Sequence, residues 1–419
     1  MGKLKTADRA PIPVVGVESG APLPGEALRL LQTAEVVCAG KELLDRLGDT
    51  DGAPNRELLA VAAPLDPVLE RLDQLRELGR NIVVLADGDP LFFGIGRTLA
   101  RRWGSDAVRI VPAVGCLQLA CARLGLPWHD VRCVSLHGTR DIAPLLAHVN
   151  TGSPLCVLLD DATGPNAVAG ILLDRGADWF TGHVFRRLGQ DGEERQDGTL
   201  AELAGGTFGS NCTLVLVPAG PVRQVHLGLP NDGIASDDDL RSKGPVRAAA
   251  LACLEIAPWH TVWDVGAGSG AVALEAAALA HRGRVCAVER SPGRTLAMRK
   301  NRRRFGAAIV DIIEGKAPDC LEQLPRPHRV FIGGGLSEER ARDILETVAR
   351  RLLPGGKVVA NCALLETLEK CQGFFRETWG EAEVVSLQAA HSHPLGKGQH
   401  LRAMNPVFIV TARKPEDAT

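Results

Sequence analysis

The sequence predicts an α/β protein of two consecutive domains, each with strands and helices in alternation. Three observations lead there. The chain has 419 residues, more than one ordinary compact core accommodates. Short apolar runs alternate with helical patterns in two successive series, as strand and crossover-helix units do. Between the series, residues 220–243 carry Pro, Gly and three consecutive aspartates, Asp237 to Asp239, and break the pattern.

The first series opens with PIPVVGV, a strand run, and EALRLLQTA, a helix. AEVVCAG, PVLERLDQLRELG and IVVLADG continue as strand, helix and strand, and a helix is expected over 92–103. VRIVPAV with CLQLACARLG, VRCVSLHG with DIAPLLAHV, and PLCVLLD with AVAGILLDRG add strand and helix pairs before a last strand, TLVLVP. Units of this kind build parallel sheets. The break then reads as a linker over 223–240 that separates domains at 1–222 and 241–419.

The second series runs through TVWDVG, a helix from Ala271, RVCAVE, a helix from Pro292, AIVDIIEG, HRVFIGG and a helix from Glu338. KVVANCA, a further helix, EAEVVSLQAAHS and PVFIVTA complete it. No helix separates the last two strands, so they are expected to be antiparallel, joined by a loop around PLGKGQHLRAMN.

A hydrophobic share of 45% with 23% charged residues is that of a globular protein, and a net charge of −2 gives no global pull toward nucleic acid or membrane. Eleven cysteines without a C-x-x-C pair, mostly in strand-like runs, read as reduced thiols in the cytoplasm. The N-terminus lacks the apolar core of a signal peptide and no apolar run reaches the length of a membrane span. There is no tyrosine, which removes the phenol from any acid or base role.

The sharpest motif is TVWDVGAGSG, Thr261 to Gly270, a buried strand that enters a glycine turn and then a helix. Gly266, Gly268 and Gly270 let the turn bend and let backbone N–H groups approach a ligand. Strand RVCAVE then ends in Glu289, placed to accept from two ribose hydroxyls. The spacing is Gly-x-Gly-x-Gly rather than the Gly-x-Gly-x-x-Gly of pyrophosphate cradles. That favours S-adenosylmethionine (SAM), which carries no phosphate, over NAD.

WDVGAGSG, VERSP, FIGGG and LPGGKVVAN, in this order, resemble the C-terminal half of the precorrin-6Y C(5,15)-methyltransferase family, which methylates carbon 15 and removes the carbon-12 acetate carboxyl. The resemblance spans residues 230–412 and implies a Rossmann-like, seven-stranded SAM methyltransferase domain. It places Asp264, Gly266, Ala267, Gly268, Ser269, Gly270, Glu289, Gly315, Lys316, Ala317, Gly333 and Gly334 around SAM. Two positions depart from the family. Ser242-Lys243-Gly244-Pro245-Val246-Arg247 stands where Thr-Lys-x-Glu-x-Arg is usual, so Pro245 replaces a carboxylate, and Gly315-Lys316-Ala317 stands where Gly-Asp-Ala is usual. Lysine cannot accept from an adenine amino group, so a weakened site is expected, with Glu314 or Asp319 as replacement acceptors.

In the first domain, IVVLADG runs into Gly88-Asp89-Pro90 and then LFFGIG. Proline stops the strand and the glycines admit a ligand. Alone, Gly-Asp-Pro is a turn. Together with VVGVESG, PAVGCLQLACARLGLPW and VRCVSLHG, it resembles the tetrapyrrole methylase family in its precorrin carbon-5 branch. That resemblance implies two lobes around a cleft, with SAM against Gly88, Asp89, Pro90, Phe93, Gly94, Gly115, Cys116 and Leu117. Asp89 also reads as a cap for the helix expected from Phe92. In Phe185-Arg186-Arg187-Leu188-Gly189, arginine replaces a common glutamate, to serve either a substrate carboxylate or the surface.

Together the resemblances imply SAM-dependent methylation of a precorrin-6 type tetrapyrrole at carbons 5 and 15, with decarboxylation, in cobalamin biosynthesis, by a homo-oligomer. Lys243, Arg247 and His393 are the foremost catalytic candidates, with Arg241, His391, Lys397, His400 and Arg402 as further cations for a carboxylate-fringed substrate. His391 and His393 are too few ligands for a metal site, and none is expected. Two alternatives stay open: an RNA methyltransferase, on the strength of Arg299, Lys300, Arg302, Arg303 and Arg304, and a single-activity methylase with a weakened C-terminal site.

Overall fold

Five strands open the computed structural model, which describes residues 10–48, 56–160, 162–236 and 243–416. They are β1 (Ile12–Val17), β2 (Val36–Gly40), β3 (Glu57–Val61), β4 (Ile82–Asp87) and β5 (Val108–Val111). Helices α1 (Gly25–Thr33), α2 (Lys41–Gly48), α3 (Asp66–Glu77), α4 (Ile95–Trp103) and α5 (Cys116–Leu124) interleave with them. The sheet is parallel throughout, in the order β3-β2-β4-β1-β5, which puts β4 at its centre. Every residue of β1 is buried, as a strand covered on both faces must be. Helix α4 starts three residues later than expected, because Phe93 has φ +53° and Gly94 forms the N-cap.

The second lobe holds β6 (Arg132–Ser135), α6 (Ala143–Val149), β7 (Leu155–Leu158), α7 (Pro165–Asp174), β8 (Phe180–Arg186), β9 (Glu194–Thr199), α8 (Leu200–Ala204) and β10 (Cys212–Pro218). Its order is β6-β7-β10-β8-β9, and only β6 and β7 are parallel. The expectation of parallel units therefore fails here. The cause is the β8–β9 hairpin: β9, ERQDGT, is a polar edge strand with no buried residue, so it carries no apolar period.

The C-terminal half contains α9 (Gly244–Leu254), β11 (Thr261–Val265), α10 (Ala271–Leu279), β12 (Arg284–Glu289), α11 (Pro292–Phe305), β13 (Val310–Glu314) and β14 (Arg329–Ile332). Then follow α12 (Ala341–Arg351), β15 (Lys357–Cys362), α13 (Leu365–Trp379), β16 (Glu383–Leu387), β17 (Ala390–Leu395), β18 (Gly398–Ala403) and β19 (Val407–Arg413). The seven-stranded sheet has the order β13-β12-β11-β14-β15-β19-β16, with β19 antiparallel to both neighbours. It is the Rossmann-like arrangement expected. The loop around PLGKGQHLRAMN is itself a hairpin, β17 with β18, exposed at every residue.

One apolar core runs through the second lobe and into the C-terminal sheet, joining Leu172, Ala177 and Trp179 to Ala276, Ala307 and Ile309. Ion pairs frame it. Arg302, 3% exposed, donates to Asp174 Oδ2 at 2.7 Å, and Arg303 donates to the same carboxylate. Arg175 reaches Asp311 and the Ala308 carbonyl, and Arg284 reaches Asp141. The basic run on α11 is thus partly a seam between the halves, which removes Arg302 from any solvent-facing RNA surface. Leu229 and Ile234, within the expected linker, are buried. Asp237 to Asp239 and Arg241 lie outside the described residues.

Candidate functional site

Two cavities lie at the carboxyl ends of parallel strands, one in each half. The N-terminal one holds about 580 Å³ and the C-terminal one about 530 Å³, each roomy enough for a nucleoside and part of a larger partner.

The floor of the N-terminal cavity is made where β4 stops. Gly88 has φ +63°, and its N–H donates to the Val17 carbonyl at 2.8 Å. A Cβ there would meet Gly115 Cα at 2.8 Å, so two backbone turns interlock and leave a bare peptide surface. Asp89 Oδ1 accepts the Leu91 amide at 2.8 Å, closing the turn rather than capping the helix expected from Phe92. Phe93 is half exposed and stands edge-on to Phe92, with both rings on the cavity wall. Gly94, Gly115 and Cys116 also line it. Burial pushes the Cys116 thiol up to about 11, which keeps it neutral and unreactive at physiological pH.

Pro90 and Leu117 are not on the cavity wall. Pro90 is buried beneath Gly94 and Gly96, whose missing side chains make room for it, and Leu117 is buried in the core of the second lobe. Both support the turns from behind. The two arginines of Phe185-Arg186-Arg187 part company: Arg186 is paired with Glu194 on the surface, whereas Arg187, at φ +52°, lines the cavity with His137. Glu42, Asp87 and Gln190 are cavity residues that sequence reasoning missed. Gln190 donates to Glu42 at 2.7 Å across the two lobes.

The C-terminal cavity is built on the same device. Gly266 has φ +73°, and a Cβ on it would stand 2.8 Å from Gly334. Gly268 has φ +58° with open space where a side chain would be, and its N–H donates to Glu289 Oε2 at 2.9 Å. Glu289 Oε1 accepts the Ser291 amide at 2.9 Å, so each carboxylate oxygen keeps a further lone pair for a hydroxyl donor. Asp264, 1% exposed, accepts the Ala273 amide at Oδ2 while Oδ1 has no partner. Burial pushes Asp264 up to about 7, against the Ala273 hydrogen bond and with a further push from Glu289.

Ala267, Ser269, Gly315, Lys316, Ala317 and Gly333 share this cavity with Gly266, Gly268, Gly334, Glu289 and Asp264. Gly270 does not line it; a Cβ there would strike Met298 at 2.5 Å, so this glycine serves the packing of α10 on α11. Lys316 is exposed at the wall, and neither replacement acceptor lines the cavity. Asp319 is paired through both oxygens with Arg340, and Glu314 accepts from Thr295 Oγ1.

The three catalytic candidates are not brought together. Arg247, expected as a rim cation, is fully buried and ion-paired with Glu275. Lys243 caps α9 and is not on the cavity wall. His393 lies on the exposed hairpin, opposite His400 in register, with ring centroids 6.2 Å apart. Among the described residues no group of three or more His, Cys, Asp or Glu is placed to hold a metal ion, and no helix is long and apolar enough to cross a membrane.

Each half of the chain matches a family model. Residues 12–204 match the family model for tetrapyrrole (corrin/porphyrin) methylases, and residues 234–414 match that for a precorrin methyltransferase domain. The chain is 30% identical over 403 residues, 95% of its length and 98% of the relative's, to a protein of Mycobacterium tuberculosis named precorrin-6Y C(5,15)-methyltransferase [decarboxylating]. A protein of the same name from Sinorhizobium sp is 31% identical over 83% of each chain. The cobalt-precorrin-6B C(15)-methyltransferase (decarboxylating) of Salmonella typhimurium is 33% identical over 42% of this chain and 90% of its own.

Proposed function

The chain belongs to the family of precorrin-6Y C(5,15)-methyltransferases (decarboxylating), and on that premise we propose that it methylates a precorrin-6 type substrate at carbons 5 and 15. It removes the carbon-12 acetate carboxyl and uses SAM in both halves. The observation that carries this reading is the repetition of one device in two unrelated sheets: Gly88 against Gly115, and Gly266 against Gly334. Each interlock leaves bare backbone where a nucleoside and its sulfonium chain lie without a phosphate cradle. When bound, SAM supplies an electrophilic methyl on a positively charged sulfur.

In the N-terminal half, Gly88, Asp89, Phe93, Gly94, Gly115 and Cys116 hold it, and Arg187 offers a cation, with the His137 ring beside it on the wall, to substrate carboxylates. In the C-terminal half, Glu289 takes the ribose hydroxyls, and the unpartnered Asp264 oxygen faces the cationic end. The 266–269 and 333–335 turns hold the remainder. The protein's main task is alignment of donor and acceptor to about 3–3.5 Å with water excluded. Decarboxylation draws on the macrocycle's own conjugation, with the chain providing orientation.

A second reading has one observation in its favour. Lys316 stands where an adenine acceptor is expected, and Asp319 and Glu314 are already engaged. Under it, only the N-terminal half turns over.

Eleven cysteines without a disulfide suit a reducing cytoplasm. Neither nucleic acid nor membrane is a partner in this reading. The exposed hairpin, with Leu395 and Leu401 at 65% and 73% exposure, is the surface on which a second copy of the chain docks.

The test is the mass of the tetrapyrrole product after incubation of the whole protein with SAM and a precorrin-6 type substrate, with and without cobalt. Two added methyls with loss of carbon dioxide support the full activity. One added methyl with the carboxyl retained supports the second reading, and none overturns both.

A further inference from the structure

Three carboxylates line the N-terminal cavity, and two of them are engaged. Asp89 Oδ1 holds the Leu91 amide, and Glu42 Oε1 holds the Gln190 side chain of the opposite lobe. Asp87 is different. It ends β4, the central strand of its sheet, and directly precedes Gly88 of the floor. Its side chain is exposed to the cavity, with no hydrogen bond from the described residues. Oδ2 lies 3.8 Å from where a Cβ on Gly40 would be, so the absence of a side chain at the end of β2 leaves this carboxylate uncovered.

Methylation of carbon has a proton to dispose of. The transfer forms a carbon–methyl bond with an electron pair of the macrocycle and breaks the sulfur–methyl bond, whose pair stays on sulfur. Positive charge passes to the macrocycle, and one N–H or C–H proton must leave to restore neutrality. The receiving group needs an open lone pair beside the reacting carbon. Cys116 is a neutral thiol, Asp89 Oδ1 and Glu42 Oε1 already accept from the chain, and Asp87 accepts no hydrogen bond from the described residues.

We propose that Asp87 accepts the proton released by methyl transfer in the N-terminal cavity and returns it to solvent through the cleft mouth. The inference rests on the two-site methyltransferase reading above. Electrostatics supports it: burial in the cleft wall raises the Asp87 pKa, Glu42 raises it further, and Arg46 opposes both. A carboxylate made more basic in this way is a better acceptor at neutral pH. Asp89 is the remaining charged neighbour on the chain, and Arg187 and His137 belong to the facing lobe.

The experiment uses the whole chain with the substitution Asp87→Asn and follows the methyl whose transfer is not accompanied by loss of carbon dioxide. The expected result is a fall in its rate on the order of 10²- to 10⁴-fold, with SAM affinity by calorimetry within threefold of wild type. In wild type that rate declines as pH falls through the Asp87 pKa; the limb is absent in D87N and kept in D87E. An infrared difference spectrum of the ligand-free proteins, wild type minus D87N, is expected to show one carboxyl protonating above the ordinary aspartate range. The proposal is overturned if D87N keeps more than a tenth of the rate with the acid limb intact, or if the loss lies in SAM affinity instead. Wild type in the same assay separates the two levels: no methyl transfer by wild type defeats the functional reading, whereas transfer by both proteins defeats only the role of Asp87.

Discussion

Arg247 Nε donates to Glu275 Oε1 at 2.9 Å, with the two side chains 0% and 2% exposed. The same glutamate oxygen accepts the Leu229 amide, and the guanidinium also reaches the Leu229 carbonyl and Asn231 Oδ1. The pair therefore stitches α9 and α10 to the segment that enters the C-terminal half. Removal of one partner strands a buried charge. Arg247→Ala is expected to lower stability by about 3–5 kcal/mol in denaturant unfolding, while the folded fraction keeps its substrate KM. A raised KM at unchanged stability would restore Arg247 to the substrate rim.

The glycine interlocks make the two sites separable. Gly88→Ala puts a Cβ 2.8 Å from Gly115 Cα, and Gly266→Ala puts one 2.8 Å from Gly334; backbone on both sides leaves nothing to swing away. Each residue also has a positive φ, which costs an alanine about 1 kcal/mol more. Calorimetric titration with SAM is expected to show two equivalents bound to wild type and one to each variant. Two equivalents in either variant would move SAM away from that interlock.

Lys316 offers a test by repair. Asp319 and Glu314 lie off the cavity wall while Lys316 lines it, so position 316 is where a new acceptor reaches the ligand. In a Gly88→Ala background, Lys316→Asp is expected to tighten SAM binding by roughly tenfold to a hundredfold, the worth of one buried acceptor. Unchanged affinity would mean that the adenine amino group is satisfied elsewhere.

Asp264 sets a pH dependence. Its folded pKa of about 7 lies above the ordinary value of 3.8, so the folded protein holds a proton that the unfolded chain releases. Its contribution to stability is present at low pH and is lost as pH rises from about 4 to 7. Relative to wild type, Asp264→Asn is accordingly expected to be more stabilising at pH 8 than at pH 5 in thermal unfolding. A cation against Oδ1 reverses the preference, and SAM affinity of the C-terminal site should rise with pH up to about 7. A flat affinity from pH 5 to 8 would remove Asp264 from contact with the cationic end.

Arg187 carries a different expectation from its neighbour. A non-glycine residue at φ +52° is held against its own preference, at a cost of order 1–3 kcal/mol, and its side chain lines the cavity. Arg187→Ala is expected to raise the tetrapyrrole KM about tenfold with little change in kcat, the sign of lost ground-state binding. Arg186→Ala, at an exposed ion pair with Glu194, should change neither.

The glycine floors of both cavities were legible because they are local: DVGAGSG and DGDPLFFG state their turns within a few residues, and Glu289 follows from strand length. The edge of the second lobe was not. ERQDGT has no apolar alternation, and it is a strand because β8 lies beside it. Asp87 was read as the tail of a strand; its place beside Glu42 depends on two strands and a helix start separated by more than forty residues. Pro90, Leu117 and Gly270 were expected against the ligand yet lie behind the walls, since sequence order does not say which side of a turn faces the cavity.

By itself, the sequence determined the two α/β halves, the strand-to-glycine turns and the family to which they belong, because hydrophobic period and backbone freedom are properties of neighbouring residues. Tertiary structure alone decided where the long charged side chains end. Arg247 went into the core, Arg302 into the seam between the halves, Arg187 into the cavity and His393 into solvent. An arginine or histidine reaches several ångströms from its backbone, and the partner or opening that claims it is brought up by chain far away in sequence.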